Sequence, residues 1–393
     1  MNYKLNTSCF LLLGFLFLNS CTDDPNPGNG VDADTIAFIM GADLSYLNQV
    51  LDHGGMFSIS GEQESPYAIA AQIGVELSRY RLWHHPKWTA ELYGREEPMY
   101  SDIVDVEKSI RFSKEQQMDV LLNFHYSDTW ADPGKQEIPE AWKSITSLEV
   151  LKDSVYQYTF KTLKRLKDKN LFPSYVQIGN ETNCGMLYSN ASDAFPKMNV
   201  CDGHWQNYRE VVRVAVQAVH DAAGHTNTRI IFHVADPKNL EWWFDNFMQV
   251  TNSVPFDIIG FSYYPLWHTD ITIGNLDRAV SRIKSRYNKE VLMLETAYPW
   301  TNEGNDDYTN KKGGAHLPGF PFTKQGQASI MLTMAEAMHK GGGMGMIYWE
   351  PGWISSNMKD LWGIGSSWEN CTFFDFNGAL HEGADYIKTF KAN

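Results

Sequence analysis

Apolar residues along the chain fall into short runs bounded by polar or glycine-containing segments, and these runs alternate with longer stretches in which apolar positions recur every three or four residues. Runs of the first kind span 36–40, 77–83, 120–124, 175–179, 229–234, 258–262, 291–295 and 344–349. Their β-branched and aromatic content predicts strands. Stretches of the second kind, at 106–117, 147–169, 205–223, 276–287 and 326–340, predict helices with one apolar face. Strand alternating with helix is the pattern of βαβ units and a parallel sheet. Eight such strands fit a closed (β/α)8 barrel. The body from 35 to 393, without internal linker or repeat, suits that architecture as a single domain.

In such a barrel the chemistry sits where strands end and the following loops begin. Those positions here read Arg79 and Arg81, His125-Tyr126, Asn180-Glu181, His233, Tyr263-Tyr264, Glu295 and Trp349-Glu350. Packing alone has no preference for His, Glu and Tyr at nearly every strand end, so the constellation points to a catalytic mouth. Glu181 and Glu295 each follow an apolar strand directly, where a carboxylate is costly to bury without purpose. Strands four and seven face each other across a barrel mouth, and two carboxylates brought together there are what glycoside hydrolysis needs, one as acid and one as nucleophile or base. A separation of ~5–5.5 Å would make the enzyme retaining.

Composition narrows the partners. The formal net charge of -14 argues against nucleic acid or anionic lipid, because phosphate binding needs clustered Lys and Arg. Thirteen Trp, many beside strand ends, suit a cleft for sugar rings, whose apolar C–H faces stack on aromatic rings. No Cys or His cluster has zinc spacing, and no phosphate-binding or dinucleotide-binding glycine motif appears, so no organic cofactor is expected. On physical grounds the reading stops at a β-glycanase.

Asn-Glu after strand four with Glu after strand seven resembles glycoside hydrolase clan A. Longer strings are similar to one of its families. Gly41-Ala42-Asp43-Leu44-Ser45, Arg81-Leu82-Trp83, the thirteen residues from Phe124 to Gln136, Gly179-Asn180-Glu181, Gly260-Phe261-Ser262-Tyr263-Tyr264-Pro265, Glu295-Thr296-Ala297-Tyr298-Pro299-Trp300 and Tyr348-Trp349-Glu350-Pro351 resemble the family 53 endo-β-1,4-galactanases. They occur in family order over essentially the whole chain after the N-terminal segment. The resemblance implies hydrolysis, with retention, of internal β-1,4-galactosidic bonds in galactan or type I arabinogalactan, by a monomer in which Glu181 is the acid/base and Glu295 the nucleophile. Two rivals remain: another clan A β-glycanase such as a xylanase or mannanase, and a catalytically silent surface glycan-binding barrel.

Physical reasoning extends these roles to neighbours. Arg81 is expected near Glu295, holding it ionised, since a cation at ~4–6 Å favours a carboxylate. Tyr263 is expected to donate its hydroxyl to Glu295, and Asn180 to hydrogen-bond the sugar 2-hydroxyl. His125, Asp128, Trp130, His268 and Trp349 are expected to surround the sugar at the cleaved bond and its neighbours. The resemblance, in addition, places Trp130, Trp267 and Trp349 along an open groove. Residues 183–205 depart from the family pattern and leave the outer sugar positions open. The loop 302–307 concentrates Asn305, Asp306 and Asp307, hard oxygen donors that suit calcium, and bacterial relatives hold a structural calcium in this region.

The N-terminus carries an address. Lys4 precedes the apolar run 9–18, too short to cross a bilayer core of ~30 Å, which takes ~20 helical residues. Leu18-Asn19-Ser20-Cys21 resembles a bacterial lipobox, which predicts a signal peptide over 1–20, an acylated Cys21 and a flexible tether over 21–34. The Asp23-Asp24 pair resembles the export signal of Bacteroidetes surface lipoproteins, so an outer-membrane, cell-surface location is expected. Beyond Cys9 and Cys21, an oxidising compartment would let Cys184, Cys201 and Cys371 form one disulfide, with Cys184–Cys201 as the short staple of one loop.

Overall fold

The computed structural model describes residues 38–249 and 254–392. Eight parallel strands, β1 Ile39–Asp43, β2 Leu77–Leu82, β3 Asp119–Phe124, β4 Tyr175–Ile178, β5 Arg229–Ala235, β6 Ile258–Ser262, β7 Glu290–Thr296 and β8 Gly345–Trp349, close into a barrel in chain order, with β8 returning to β1. Each strand is followed by a helix: α1 Pro66–Ile73, α2 Ile103–Glu115, α3 Leu148–Asp168, α4 Trp205–Ala223, α5 Leu240–Met248, α6 Ile273–Tyr287, α7 Lys324–Lys340 and α8 Tyr386–Ala392. The (β/α)8 barrel expected from periodicity is present. The first strand is the exception, beginning and ending three residues later than predicted; residues 36 and 37 lie outside the described residues.

Side chains alternate along a strand, and the inward-facing set changes character along the barrel axis. At the N-terminal end, Leu77, Leu121, Ile231, Ile258, Leu292, Leu294 and Ile347 form an apolar plug, separate from the large core between sheet and helices. Two residues further along the same strands stand Arg79, Asn123, Gln177 and His233, all buried. One more step brings Arg81, His125 and Ser262. Buried polar groups need partners, and much of this layer bonds within itself, Arg79 to Gln177 and His233 to Ser262, directly beneath the mouth. Gly260 leaves room for the plug beneath, since a Cβ there would lie 2.2 Å from Leu294 Cδ1 and 2.9 Å from Ile231 Cγ2.

Strand β7 breaks the alternation. Its register slips against both neighbours, between Phe261 and Ser262 of β6 and between Met346 and Tyr348 of β8. Leu292 and Leu294 already face inward, so strict alternation would turn Glu295 toward the helices. The bulge aims it into the mouth instead, the usual effect of an extra residue in one strand.

Candidate active site

A cavity of about 420 Å³ opens at the C-terminal face of the barrel, lined by Asp43, Arg79, Asn180, Glu181, Glu295 and a wall of aromatic rings. One carboxylate oxygen of Glu181, one of Glu295 and a ring nitrogen of His233 lie within 4.8 Å of one another. Glu181 has a left-handed backbone, φ 46°, as do Tyr126, Asp236 and Glu350, which likewise follow their strands. Non-glycine residues adopt this region at a cost of ~1–3 kcal/mol, typically where a site requires it.

Glu295 is held by a cation and a phenol. Arg79 Nη2 lies 2.9 Å from its Oε1, and the Tyr264 hydroxyl donates to Oε2 at 3.0 Å. The rest of the Arg79 fork is fixed by Asp43 Oδ2 at 2.7 Å, Gln177 Oε1 at 3.1 Å and Asn180 Oδ1 at 2.8 Å. Among the described residues no cation pairs with Glu181, which accepts the Ser262 hydroxyl at 2.6 Å. Burial pushes the Glu181 carboxyl up to about 8, and the negative charge of Glu295 adds to the rise. Burial raises Glu295 too, but there Arg79 and Tyr264 oppose it by direct contact, so the proton of the pair rests on Glu181. One protonated and one ionised carboxyl, this close, are the pair that retaining glycoside hydrolysis requires.

Two expected contacts are corrected. Arg81 does not reach Glu295: its Nη1 pairs with Glu350 Oε1 at 2.5 Å, and its guanidinium lies 4.0 Å over the Tyr46 ring and 4.5 Å over Trp130. Arg79, one inward step nearer the plug, takes the place assigned to Arg81. Tyr263 likewise turns away, its hydroxyl donating to the Ile271 carbonyl, while its neighbour Tyr264 reaches the carboxylate. Asp128 is also outside the cleft lining: its carboxylate accepts the His85 and Glu140 main-chain N–H groups at 2.8 and 2.7 Å and ties two loops together.

The other expected residues converge on the cavity. Asn180 Oδ1 is occupied by Arg79, Asn123 and Gln177, and its Nδ2 donates to the Ala131 carbonyl at 2.8 Å, which leaves its second N–H for a ligand. His125 Nδ1 accepts from Trp83 Nε1 and the Ala131 N–H, so its proton stands on Nε2. Burial, then Arg79 and Arg81, keep that ring neutral. His268 Nδ1 accepts the Tyr264 N–H at 3.1 Å in the same manner. Trp130, Trp267 and Trp349 line the cleft as expected, joined by Trp362 and Trp368, which the strand-end reading missed because both lie on the loop after β8. Asp43 was missed because β1 was placed too early.

The segment after Glu181 is stapled by a Cys184–Cys201 disulfide, and Cys371 is a buried free thiol. In the acidic loop, Asp306 accepts the Tyr308 and Ser366 N–H groups at 2.8 Å each, and Asn305 N–H donates to Glu369. Asn302, Asp306 and Asp307 line a shared cavity of about 410 Å³ together with Lys312, the Asn302 amide oxygen accepts the Gly314 N–H, and Asn305 lies outside that lining. Cys21 lies outside the described residues.

The profile of glycosyl hydrolase family 53 matches residues 39–385. The chain belongs to that family. Within family 53 it is similar to the arabinogalactan endo-beta-1,4-galactanase of Cellvibrio japonicus, 39% identical over 87% of this chain and 88% of the relative. It is also similar to the endo-beta-1,4-galactanase of Bacillus subtilis, 31% identical over 87% of this chain and 83% of the relative. Among solved structures, the family 53 catalytic domain from Ignisphaera aggregans superposes with a TM-score of 0.78 at 30% identity, covering 93% of this chain and 98% of that one. The barrel and its family 53 assignment therefore agree.

Proposed function

We propose that this family 53 glycoside hydrolase is an endo-acting β-1,4-galactanase that cleaves galactan or type I arabinogalactan with retention, Glu295 attacking the anomeric carbon while Glu181 protonates the leaving oxygen. The observation that carries this reading is the unequal pair of carboxyls within 4.8 Å, one ion-paired to Arg79 and the other kept protonated near neutral pH. After the glycosyl–Glu295 intermediate forms, Glu181 as the carboxylate takes a proton from water as its oxygen attacks the same carbon, and the bond to Glu295 breaks to return its carboxylate. Asn180 offers its free N–H to the 2-hydroxyl, a bond that strengthens as positive charge develops on the ring. His125 and His268 offer Nε2–H to other hydroxyls, and the Trp rings take the apolar sugar faces.

Sugar-binding aromatics extend from the catalytic pair to exposed Trp267 and Trp362, as an enzyme that cuts within a chain needs. The test is digestion of galactan, xylan and mannan in parallel. A rapid fall in galactan viscosity with a spread of oligosaccharides is expected, and release of galactose alone from the start would rule out the endo mode.

Two further readings accompany it. Acylation of Cys21 would tether the enzyme to the outer membrane, supported by the lipobox-like 18–21; loss of detergent partitioning in Cys21→Ala tests it. A calcium ion held by Asn305, Asp306 and Asp307 with Asn302 would brace the loop after β7 and take no part in bond cleavage. Thermal unfolding with calcium and with chelator tests that, a rise in Tm with calcium being expected.

A further inference from the structure

The acid/base glutamate stands at the end of a short chain of hydrogen bonds whose direction can be read from its far end. Glu181 Oε1 lies 2.6 Å from Ser262 Oγ, and Ser262 Oγ lies 2.8 Å from His233 Nε2. The main-chain N–H of Glu181, which can only donate, points at His233 Nδ1 at 3.2 Å. Nδ1 is therefore an acceptor, and the ring proton sits on Nε2. Asn180 Oδ1 is 3.1 Å from the same Nδ1, and the Gln177 amide nitrogen stands between these two acceptors, 3.0 Å from Nδ1 and 3.2 Å from Oδ1, and shares its two hydrogens among them and the Gly179 carbonyl at 2.9 Å. With Nε2–H donating to Ser262 Oγ, the hydroxyl hydrogen is left for Glu181 Oε1. Ser262 and His233 are completely buried, so water does not compete for these bonds, and neither lines the cleft.

We propose that Ser262 and His233 are positioning residues for the acid/base, a donor chain that commits Oε1 of Glu181 to accepting and leaves Oε2 as the oxygen that gives and takes the catalytic proton. This rests on the reading of Glu181 as the acid/base. An oxygen receiving a short hydroxyl bond is a poor seat for an acidic hydrogen, so the proton faces the cleft, where the leaving oxygen arrives. The same bond stabilises the carboxylate in the second step. Other groups facing Glu181 are Glu295 on β7, Asp132 on the loop after β3, Arg79 on β2 and Tyr264 after β6. Those facing His233 are Arg79 and His125. None substitutes for the hydroxyl, because Arg79 directs its donors to Asp43, Gln177, Asn180 and Glu295.

The experiment is a ¹³C NMR titration of the Glu181 carboxyl in the full chain, assigned by its loss in Glu181→Gln, compared between wild type and Ser262→Ala. Removing a donor to the ionised form is expected to move the midpoint up by about one pH unit, a tenfold change in the ionisation constant. The basic limb of kcat/KM on galactan should move with it, and Ser262→Thr, which keeps the hydroxyl, should restore both. His233→Ala, which leaves Ser262 without its donor, should move the midpoint the same way by less. A midpoint that stays or falls in Ser262→Ala, or a loss of kcat equal at every pH with the limb unmoved, overturns the proposal. A wild type inert on galactan would instead sink the substrate assignment, while the titration still decides the hydrogen-bond chain.

Discussion

Around Glu295 the barrel supplies a full cation, a phenol and a bulged strand, whereas around Glu181 it supplies one neutral hydroxyl and the negative charge of the other glutamate. Both side chains are the same acid, and both leave a strand at the same face. The difference in neighbours alone separates their roles. A carboxyl that must attack carbon is given Arg79, itself braced by Asp43, Gln177 and Asn180 so that it cannot swing away. A carboxyl that must hold and release a proton is deprived of a cation and placed against a like charge.

The comparison breaks most completely if either carboxyl is removed. Glu181→Gln and Glu295→Gln are expected to lower kcat on galactan by roughly 100-fold or more while the circular dichroism spectrum is unchanged. In the smaller variants Glu181→Ala and Glu295→Ala, azide with an activated β-galactoside should give galactosyl azides of opposite anomeric form, β from the first and α from the second. Next in size, Arg79→Lys keeps a charge but loses the fork, and removal of a charge-assisted bond of ~1.5–3 kcal/mol predicts a kcat lower by about 10- to 100-fold. Because Arg79 holds the Glu295 carboxyl down, its loss raises that group, and the acidic limb of the pH profile should move to higher pH. Tyr264→Phe removes one neutral donor from Glu295 and should cost about tenfold, with a smaller shift of the same sign. In the wild type, activity should fall as pH rises through about 8, where Glu181 loses the proton it must donate. A basic limb lying near pH 5 would remove the distinction between the two carboxyls.

Both glutamates were legible because each ends an apolar run, a place where a charge has no solvent-facing explanation. Their partners were not, for reasons of geometry. Arg79 and Arg81 both face inward from β2 and differ only in height, two residues or ~6.6 Å along the strand, and sequence gives no height. Tyr263 and Tyr264 are adjacent, so alternation sends them to opposite sides; the bulge in β7 decides which one meets Glu295. Strand β1 was placed early because the apolar run 36–40 stops at Gly41, while in the barrel the strand continues to Asp43 and Gly41 is there to clear Ile347 and Leu77. Asp128, polar and beside a strand end, carries the same sequence signal as a ligand-binding residue, yet its two main-chain partners make it a loop brace.

The Cys184–Cys201 bond separates two events in the life of this molecule. The ladder of eight strands and its apolar plug involve neither cysteine, so the barrel can assemble while the thiols are still reduced. The loop that begins three residues beyond Glu181 cannot reach its stapled form then, and the bond restricts its unfolded alternatives by an amount of order 3 kcal/mol for a loop of this length. Barrel and staple thus have different requirements: the first needs only the chain's own side chains, the second also an oxidant for two thiols.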